Sequence, residues 1–160
     1  MTPIIAQPLT THAFAPFGDV IALRNTPDKL INQGRCGRHH DLAQLDFADG
    51  RAGISLFDAE PVALPFDVDM MERHPHGSQA FIPMSMTSFL VIVAPDNAGQ
   101  PGQPSAFLTA VGQGVNLHRG TWHGVLTPLS KPGLFMVVDR IGPGDNLEEH
   151  WFDVPWRVET

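Results

Sequence analysis

Imidazole, amide and guanidinium groups are concentrated between Gly112 and Gly124, where the sequence reads GQGVNLHRGTWHG. Alternation within this segment predicts a short strand that carries Asn116 and His118 on one face, aimed inward. Gly120 then permits a tight turn back toward His123. The spacing therefore predicts that amide and imidazole side chains of this segment share one site.

Arg119 lies beside these histidines, and the combination has a recognisable chemistry. A guanidinium group binds a carboxylate through two hydrogen bonds, and an imidazole transfers protons near neutral pH. The alternative is an ordinary strand end at which His118 and His123 bond to backbone carbonyls, with Trp122 serving only as packing.

A second polar cluster, ERHPHGSQ, ends at Gln79 and is followed by the apolar run AFIPM. His74 and His76 are two residues apart, so on an extended chain both would point to one face and could share a metal ion with His123. Gln79 stands where a carboxylate ligand would be expected, and its amide oxygen is a possible but weaker fourth ligand. The alternative is that Pro75 breaks the alternation and leaves His76 in a solvated turn.

Asp139 and Arg140 end the apolar run LFMVV, so alternation sends one of them inward and the other outward. An inward Arg140 could bind substrate. The alternative is a structural ion pair at the strand end.

The elements that must position these groups are mainly strands. Glycine and proline contribute 15 residues each and punctuate the chain, which leaves little room for long helices. Short strands at this spacing favour an all-β sandwich or barrel. A single-turn helix is predicted at residues 11–14, capped by Thr10. The tail 146–160 carries two tryptophans and should pack against the barrel or a partner subunit. The predicted strands are Asp19–Leu23, Ile54–Phe57, Val68–Glu72, Gln79–Pro83, Ser88–Val93, Ala106–Thr109, Gly114–His118, Gly124–Leu126 and Leu134–Arg140.

Size and charge narrow the class of protein. The 160 residues predict one domain over residues 1–160, and the net charge of −7 with scattered basic residues argues against a nucleic-acid partner. No apolar run approaches the length of a membrane span, and the single cysteine, Cys36, with no signal segment predicts a cytoplasmic protein. No Rossmann, phosphate-loop or hydrolase-elbow motif is present.

At these residues the chain resembles bacterial ureidoglycolate lyase, also called ureidoglycolate hydrolase, of allantoin and purine degradation. The resemblance covers almost the full length and depends on several blocks in order, which are FAPFGDVI at 14–21, HDLA at 40–43, ERHP at 72–75, QAFIPM at 79–84, GVN at 114–116, HR at 118–119, WH at 122–123, DR at 139–140 and GDN at 144–146.

The resemblance implies a cupin-like double-stranded β-barrel, or jelly roll, with one or two short helices, and a homodimer. It implies cleavage of (S)-ureidoglycolate to glyoxylate and urea. Cupins commonly hold a metal through histidines and a carboxylate, and nickel is associated with some members of this family, so a divalent metal is a possible cofactor here.

For this substrate the expected roles follow from acid–base chemistry. Arg119 or Arg140 would clamp the carboxylate, and His118 or His123 would take the hydroxyl proton. Asn116 and Gln79 would hold the ureido group, and His74 would protonate the leaving nitrogen. Three alternatives remain open: an amidohydrolase that releases ammonia and carbon dioxide, a cupin that binds a carboxylate without turning it over, and a purely structural barrel whose interior is filled by side chains.

Overall fold

The computed structural model describes residues 3–160, and its regular structure is almost entirely β, which confirms the predicted fold class. The helix α1 is Thr11–Phe14. In chain order the strands of the described residues are β1 Ile4–Ile5, β2 Gln7–Pro8, β3 Gly18–Ile21, β4 Lys29–Ile31, β5 Cys36–Arg38, β6 Arg51–Asp58, β7 Phe66–Arg73, β8 Gln79–Pro83, β9 Phe89–Ala94, β10 Asp96–Asn97, β11 Gln100–Pro101, β12 Ser105–Leu108, β13 Gly114–Leu117, β14 Trp122–His123, β15 Thr127–Pro128, β16 Leu134–Ile141 and β17 Glu148–Glu159.

Two sheets face each other and form a cupin-like barrel. The eight-stranded sheet has the order β1-β17-β7-β14-β9-β12-β2, with β15 also paired to β9. The five-stranded sheet has the order β3-β13-β8-β16-β6. Two short ribbons, β4-β5 and β10-β11, stand apart from both sheets.

The core between the sheets is built from alternate residues of their strands. Val115 of β13 pairs with Phe81 of β8, which pairs in turn with Val137 of β16, and all three are buried in one apolar cluster. Val91 and Val93 of β9 reach the same cluster from the opposite sheet. Residues of these strands with the other parity therefore point away from the barrel interior.

Helix α1 confirms the predicted cap. The Ala13 N–H donates to Thr10 Oγ1 at 3.2 Å, and Phe14 is fully buried. Because α1 has only four residues, it packs one aromatic ring into the core and contributes little else. No helix in residues 3–160 is long and apolar enough to span a membrane.

Two strand predictions differ from the structure. Residues 124–126 are not a strand, because β14 ends at His123 and β15 begins at Thr127. The tail, predicted only to pack, forms the longest strand of the described chain, β17, which pairs with β7 and changes register between Trp151 and Trp156. Trp156 packs on an apolar cluster of the eight-stranded sheet, whereas Trp151 is exposed.

Candidate active site

A carboxylate and two imidazoles meet at one end of the barrel. His123 of β14 pairs directly with Glu72 of β7 and with Val93 of β9, whose side chain is in the interior, so His123 and Glu72 also face inward. His74 follows β7, and its ring centroid lies 5.3 Å from that of His123. The ligand atoms of these three side chains all lie within 4.8 Å of one another. We call Glu72, His74 and His123 the interior cluster.

The turn between β13 and β14 joins the two polar segments of the sequence. Gly120 adopts a φ of 79°, a left-handed conformation that favours glycine, as the tight turn required. Its N–H donates to the His74 carbonyl at 2.9 Å. The two segments therefore do meet, but through His74 and His123 rather than through all their polar residues.

Backbone carbonyls orient both imidazoles of the interior cluster. His74 Nδ1 lies 2.7 Å from the Asn146 carbonyl oxygen, and His123 Nδ1 lies 3.0 Å from that of Gly124. A carbonyl accepts only, so each Nδ1 is the donor, and in the neutral imidazole Nε2 then keeps a free lone pair. Both Nε2 atoms are buried and have no hydrogen-bond partner in the described chain. Buried acceptors without partners are uncommon in proteins and indicate a binding function here.

Burial sets the protonation of the cluster. Desolvation, aided by the neighbouring His74, lowers the pKa of His123 to about 4, so this imidazole is neutral at physiological pH. Desolvation raises the pKa of Glu72 above its ordinary value despite the attraction of His74, whose Nε2 lies 3.9 Å from Glu72 Oε1. The side chains of Glu72 and His74 remain 24% and 18% exposed, so the cluster extends from the surface into the barrel.

The space beneath His123 is too small for a substrate. The cavity there has a volume of about 20 Å³, room for a single water, and apolar side chains form most of its wall. That cavity therefore does not hold a substrate, and the exposed parts of the interior cluster belong to Glu72 and His74.

Gln79 enters the same end of the barrel from the five-stranded sheet. It lies opposite Leu117, an interior residue, and its Nε2 donates to Asp139 Oδ2 at 3.2 Å. Its Oε1 is buried without a partner in residues 3–160, like the two imidazole Nε2 atoms. Of Asp139 and Arg140, it is Asp139 that faces inward.

His76 does not join the interior cluster, which corrects the predicted ligand set. Its side chain is exposed beyond the turn at Pro75, and its N–H donates to Asn146 Oδ1 at 2.7 Å. Glu72, which the sequence analysis did not select, is the third member instead. The spacing of Glu72 and His74 was the available signal, because residues two apart on a strand share a face.

Asn116 and His118 lie on the outer face of the five-stranded sheet, so the expectation that they point inward is wrong. Val115 and Leu117 occupy the interior, and strand alternation turns their neighbours outward. Asn116 is fully buried there, because its Nδ2 donates to Asp19 Oδ2 at 3.0 Å and to the Gln44 carbonyl at 2.9 Å.

Asp19 is the centre of this outer group. His118 Nε2 lies 3.3 Å from Asp19 Oδ2. Burial alone would raise the pKa of Asp19, but hydrogen bonds from the Asn116 amide and the Gln44 N–H, with the nearby His118, lower it below the usual value. Three groups of the protein thus contact one oxygen of this carboxyl, Oδ2.

Arg140 and Arg119 also lie on the outer side, against residues 44–49, which we call the strap. The Arg140 side chain is only 2% exposed, and it donates to the carbonyls of Phe47 at 3.1 Å and Pro143 at 3.0 Å and to Asp49 at 2.6 Å. Arg140 thus has a structural role, as the alternative drawn from the sequence supposed, but its carboxylate partner is Asp49 and not the adjacent Asp139. Arg119 is half-exposed, with Nη1 3.5 Å from Asp46 Oδ2 beside an open cleft of about 380 Å³.

A cupin-like barrel that gathers two imidazoles, a carboxylate and an amide at one end defines an enzyme-type site for a small polar molecule. Residues 1–159 match the profile of the ureidoglycolate lyase family. The chain is 59% identical to a ureidoglycolate lyase of Rhodobacter capsulatus, over 99% of both chains. It is 50% identical to ureidoglycolate lyase 2 of Rhizobium meliloti, over 99% of both chains, and to a ureidoglycolate lyase of Chelativorans, over 99% of this chain and 97% of the relative. The chain belongs to the ureidoglycolate lyase family.

Proposed function

We propose that this chain cleaves (S)-ureidoglycolate to glyoxylate and urea at the interior cluster. The observation that carries the proposal is the pair of buried Nε2 lone pairs of His74 and His123, which face the Glu72 carboxylate and have no partner in residues 3–160. Family membership supplies the substrate.

The reaction needs only proton movement and positioning. The substrate carbon bears a hydroxyl group and a ureido nitrogen. Loss of the hydroxyl proton lets the C=O bond of glyoxylate form while the C–N bond breaks, and the departing nitrogen takes up a proton to give urea. Water, oxidant and reductant are not consumed, so one group can take the first proton and supply the second.

Glu72 is the group best suited to carry that proton. Its raised pKa makes its carboxylate a stronger base than an ordinary glutamate, and it can return the proton to the ureido nitrogen. His123, with a pKa of about 4, is too weak a base at neutral pH and instead accepts hydrogen bonds through Nε2. The proton-transfer role expected of the histidines thus falls to the carboxylate beside them.

The interior cluster also fits a divalent cation. Two imidazole nitrogens held by carbonyls through their Nδ1–H groups, with a carboxylate in reach, are a common donor set for such ions, and imidazole suits nickel or zinc. A bound divalent ion would polarise the hydroxyl and carboxylate oxygens of the substrate. Glu72, His74 and His123 would hold such an ion, and Glu72 would keep its role as the proton carrier.

Charge also favours a cation at this site. Glu72 and Asp139 both face the interior, and neither forms an ion pair with a lysine or arginine within residues 3–160. Arg119 and Arg140, the expected carboxylate clamps, are on the outer side. An anionic substrate entering a site that already holds carboxylates requires a compensating positive charge.

The decisive experiment measures urea, glyoxylate and ammonia from racemic ureidoglycolate, before and after chelation and on return of nickel, zinc or manganese. We expect equal amounts of urea and glyoxylate, loss of activity on chelation, and recovery with one of the ions. Ammonia in place of urea would identify an amidohydrolase, and binding without product would identify a carboxylate-binding cupin.

Two histidine variants in the same turn provide a matched control. His74→Gln removes an interior ligand, whereas His76→Gln makes the same change two residues away at an exposed position. We expect turnover to fall in the first and to persist in the second. Equal turnover in both would place the reaction elsewhere.

We also propose a homodimer located in the cytoplasm. The outer face of the five-stranded sheet exposes Ile54, Leu56 and Met84, at 71%, 63% and 53%, on and near the edge strand β6. An apolar group of this kind supports association of two copies. Light scattering should give twice the chain mass, and Leu56→Lys should reduce it to the monomer. The exposed free thiol of Cys36 suits a reducing compartment, which fractionation of cells would test.

A further inference from the structure

The amide of Gln79 has one satisfied end and one free end. Nε2 donates to Asp139 Oδ2 at 3.2 Å, while Oε1 is buried with no partner among the described residues. Gln79 as a whole is only 6% exposed, so solvent does not complete its bonding. This oxygen is therefore available to accept a hydrogen bond from a bound molecule.

Strand register places Asp139 directly beside Gln79. Val138 pairs with Ala80, so Asp139 lies opposite Gln79 on the neighbouring strand, and both share the face that carries Phe81 and Val137. Asp139 has no ion pair with a lysine or arginine in residues 3–160. Its carboxylate accepts a hydrogen bond from the Gln79 amide.

A carboxylate partner decides which way an amide faces. An ionised carboxylate only accepts, so it binds the NH₂ end of glutamine and turns the carbonyl end away. Without it, the amide could rotate and present its NH₂ group to the site. Asp139 thus leaves Gln79 Oε1 facing the site as a hydrogen-bond acceptor. The Nε2 atoms of His74 and His123 are acceptors as well.

An acceptor is what the ureido group requires. Its NH and NH₂ groups are donors, and a rotated amide would set donor against donor. We propose that Asp139 is a positioning residue that fixes the Gln79 amide with Oε1 toward the ureido N–H groups of the substrate, an inference that rests on the proposed function. The carboxylate acts on ureido recognition through Gln79 and does not touch the reacting atoms.

The test is a double-mutant cycle with Asp139→Asn, Gln79→Met and the double variant. The ureido contact is made before and during bond breaking, so its loss raises KM more than it lowers kcat. We expect each single variant to raise KM about tenfold, as for one lost hydrogen bond in a buried site. The double variant should match Gln79→Met alone, since Asp139 acts only through that amide.

Asp19→Asn is the matched control, because Asp19 binds a side-chain amide, that of Asn116, in the same sheet but on its outer face. Its KM should equal that of the wild type. An unchanged KM in folded Asp139→Asn, or a further rise when Asp139→Asn is added to Gln79→Met, would overturn the inference while leaving the lyase activity intact.

Should Asp139→Asn not fold, Asp139→Ala gives the same test without adding a donor. Absence of urea from the wild-type protein would overturn the proposed function and this inference together, so the two failures are distinguishable.

Discussion

The interior cluster and the strap contacts lie on different sheets of the barrel, the first on β7 and β14 and the second on β13 and β16, and they differ in how their polar atoms are satisfied. On the outer face, Arg140 donates to two carbonyls and a carboxylate, and Asp19 accepts from Asn116. In the interior, both Nε2 atoms of the cluster are buried without a partner in residues 3–160. On the outer face one buried acceptor, Asn116 Oδ1, also has no partner in residues 3–160, but it stands alone there, whereas the interior end of the barrel has three such atoms, on His74, Gln79 and His123.

The interior cluster and the strap contacts should therefore respond differently to mutation. A saturated polar contact stabilises the folded protein, and its loss should appear in the free energy of unfolding. A buried acceptor without a partner lowers the stability of the folded protein. Removing such an acceptor should therefore reduce turnover without reducing the free energy of unfolding. The two regions can therefore be told apart by measuring both quantities on the same variants.

The largest expected effect is on turnover, from the histidines of one segment. His123→Gln should lower kcat by about 100- to 1000-fold, as removal of one preorganised hydrogen-bonding group from an active site does, with little change in melting temperature. His118→Gln, five residues earlier but on the outer face, should keep kcat within about twofold. Rates of glyoxylate release with thermal melts would show this, and a collapse of turnover in His118→Gln would remove the distinction between the faces.

The next effect is on stability. Arg140→Met leaves the carbonyls of Phe47 and Pro143 without their donor, which should lower the free energy of unfolding by about 2 kcal/mol. Well below the melting temperature, kcat/KM should be unchanged. Urea unfolding and steady-state kinetics test both halves, and a rise in KM with normal stability would return Arg140 to its expected role as the carboxylate clamp.

A smaller effect is expected at Arg119. Its contact with Asp46 is 3.5 Å long and half-exposed, a kind of pair worth at most about 1 kcal/mol. Arg119→Ala should therefore leave stability and KM almost unchanged. A KM increase of tenfold or more would show that the outer cleft beside Arg119 binds substrate.

The sequence predicted the fold class, β8 and the capped helix because turn residues and alternation are local signals. It also paired His74 with His123. The sequence did not predict which face of each strand points inward. Alternation places Asn116 and His118 on the same face of β13, but no local signal says whether that face is the inner or the outer one. That choice depends on Val115 and Leu117 meeting Phe81 across the barrel, which is tertiary packing. The strap, likewise, covers Asn116 only because residues distant in sequence fold over it.

The smallest effect concerns the pH dependence of the strap. The hydrogen bond and charge of Arg140 lower the pKa of Asp49 below 3.8, its ordinary value. A carboxyl with a depressed folded pKa contributes stability that is present above the unfolded pKa and lost as pH falls through the folded one. The wild type should therefore exceed Asp49→Asn slightly in unfolding free energy near pH 6, and the gap should close below pH 3.8.

Exposure limits the size of this effect, because 75% of the Asp49 side chain is open to solvent, which screens its attraction to Arg140. Urea unfolding of the wild type and of Asp49→Asn across this pH range supplies the comparison. A gap that widens toward low pH would mean that Asp49 is more easily protonated in the folded protein, and that Arg140 is held by the carbonyls of the strap rather than by this charge.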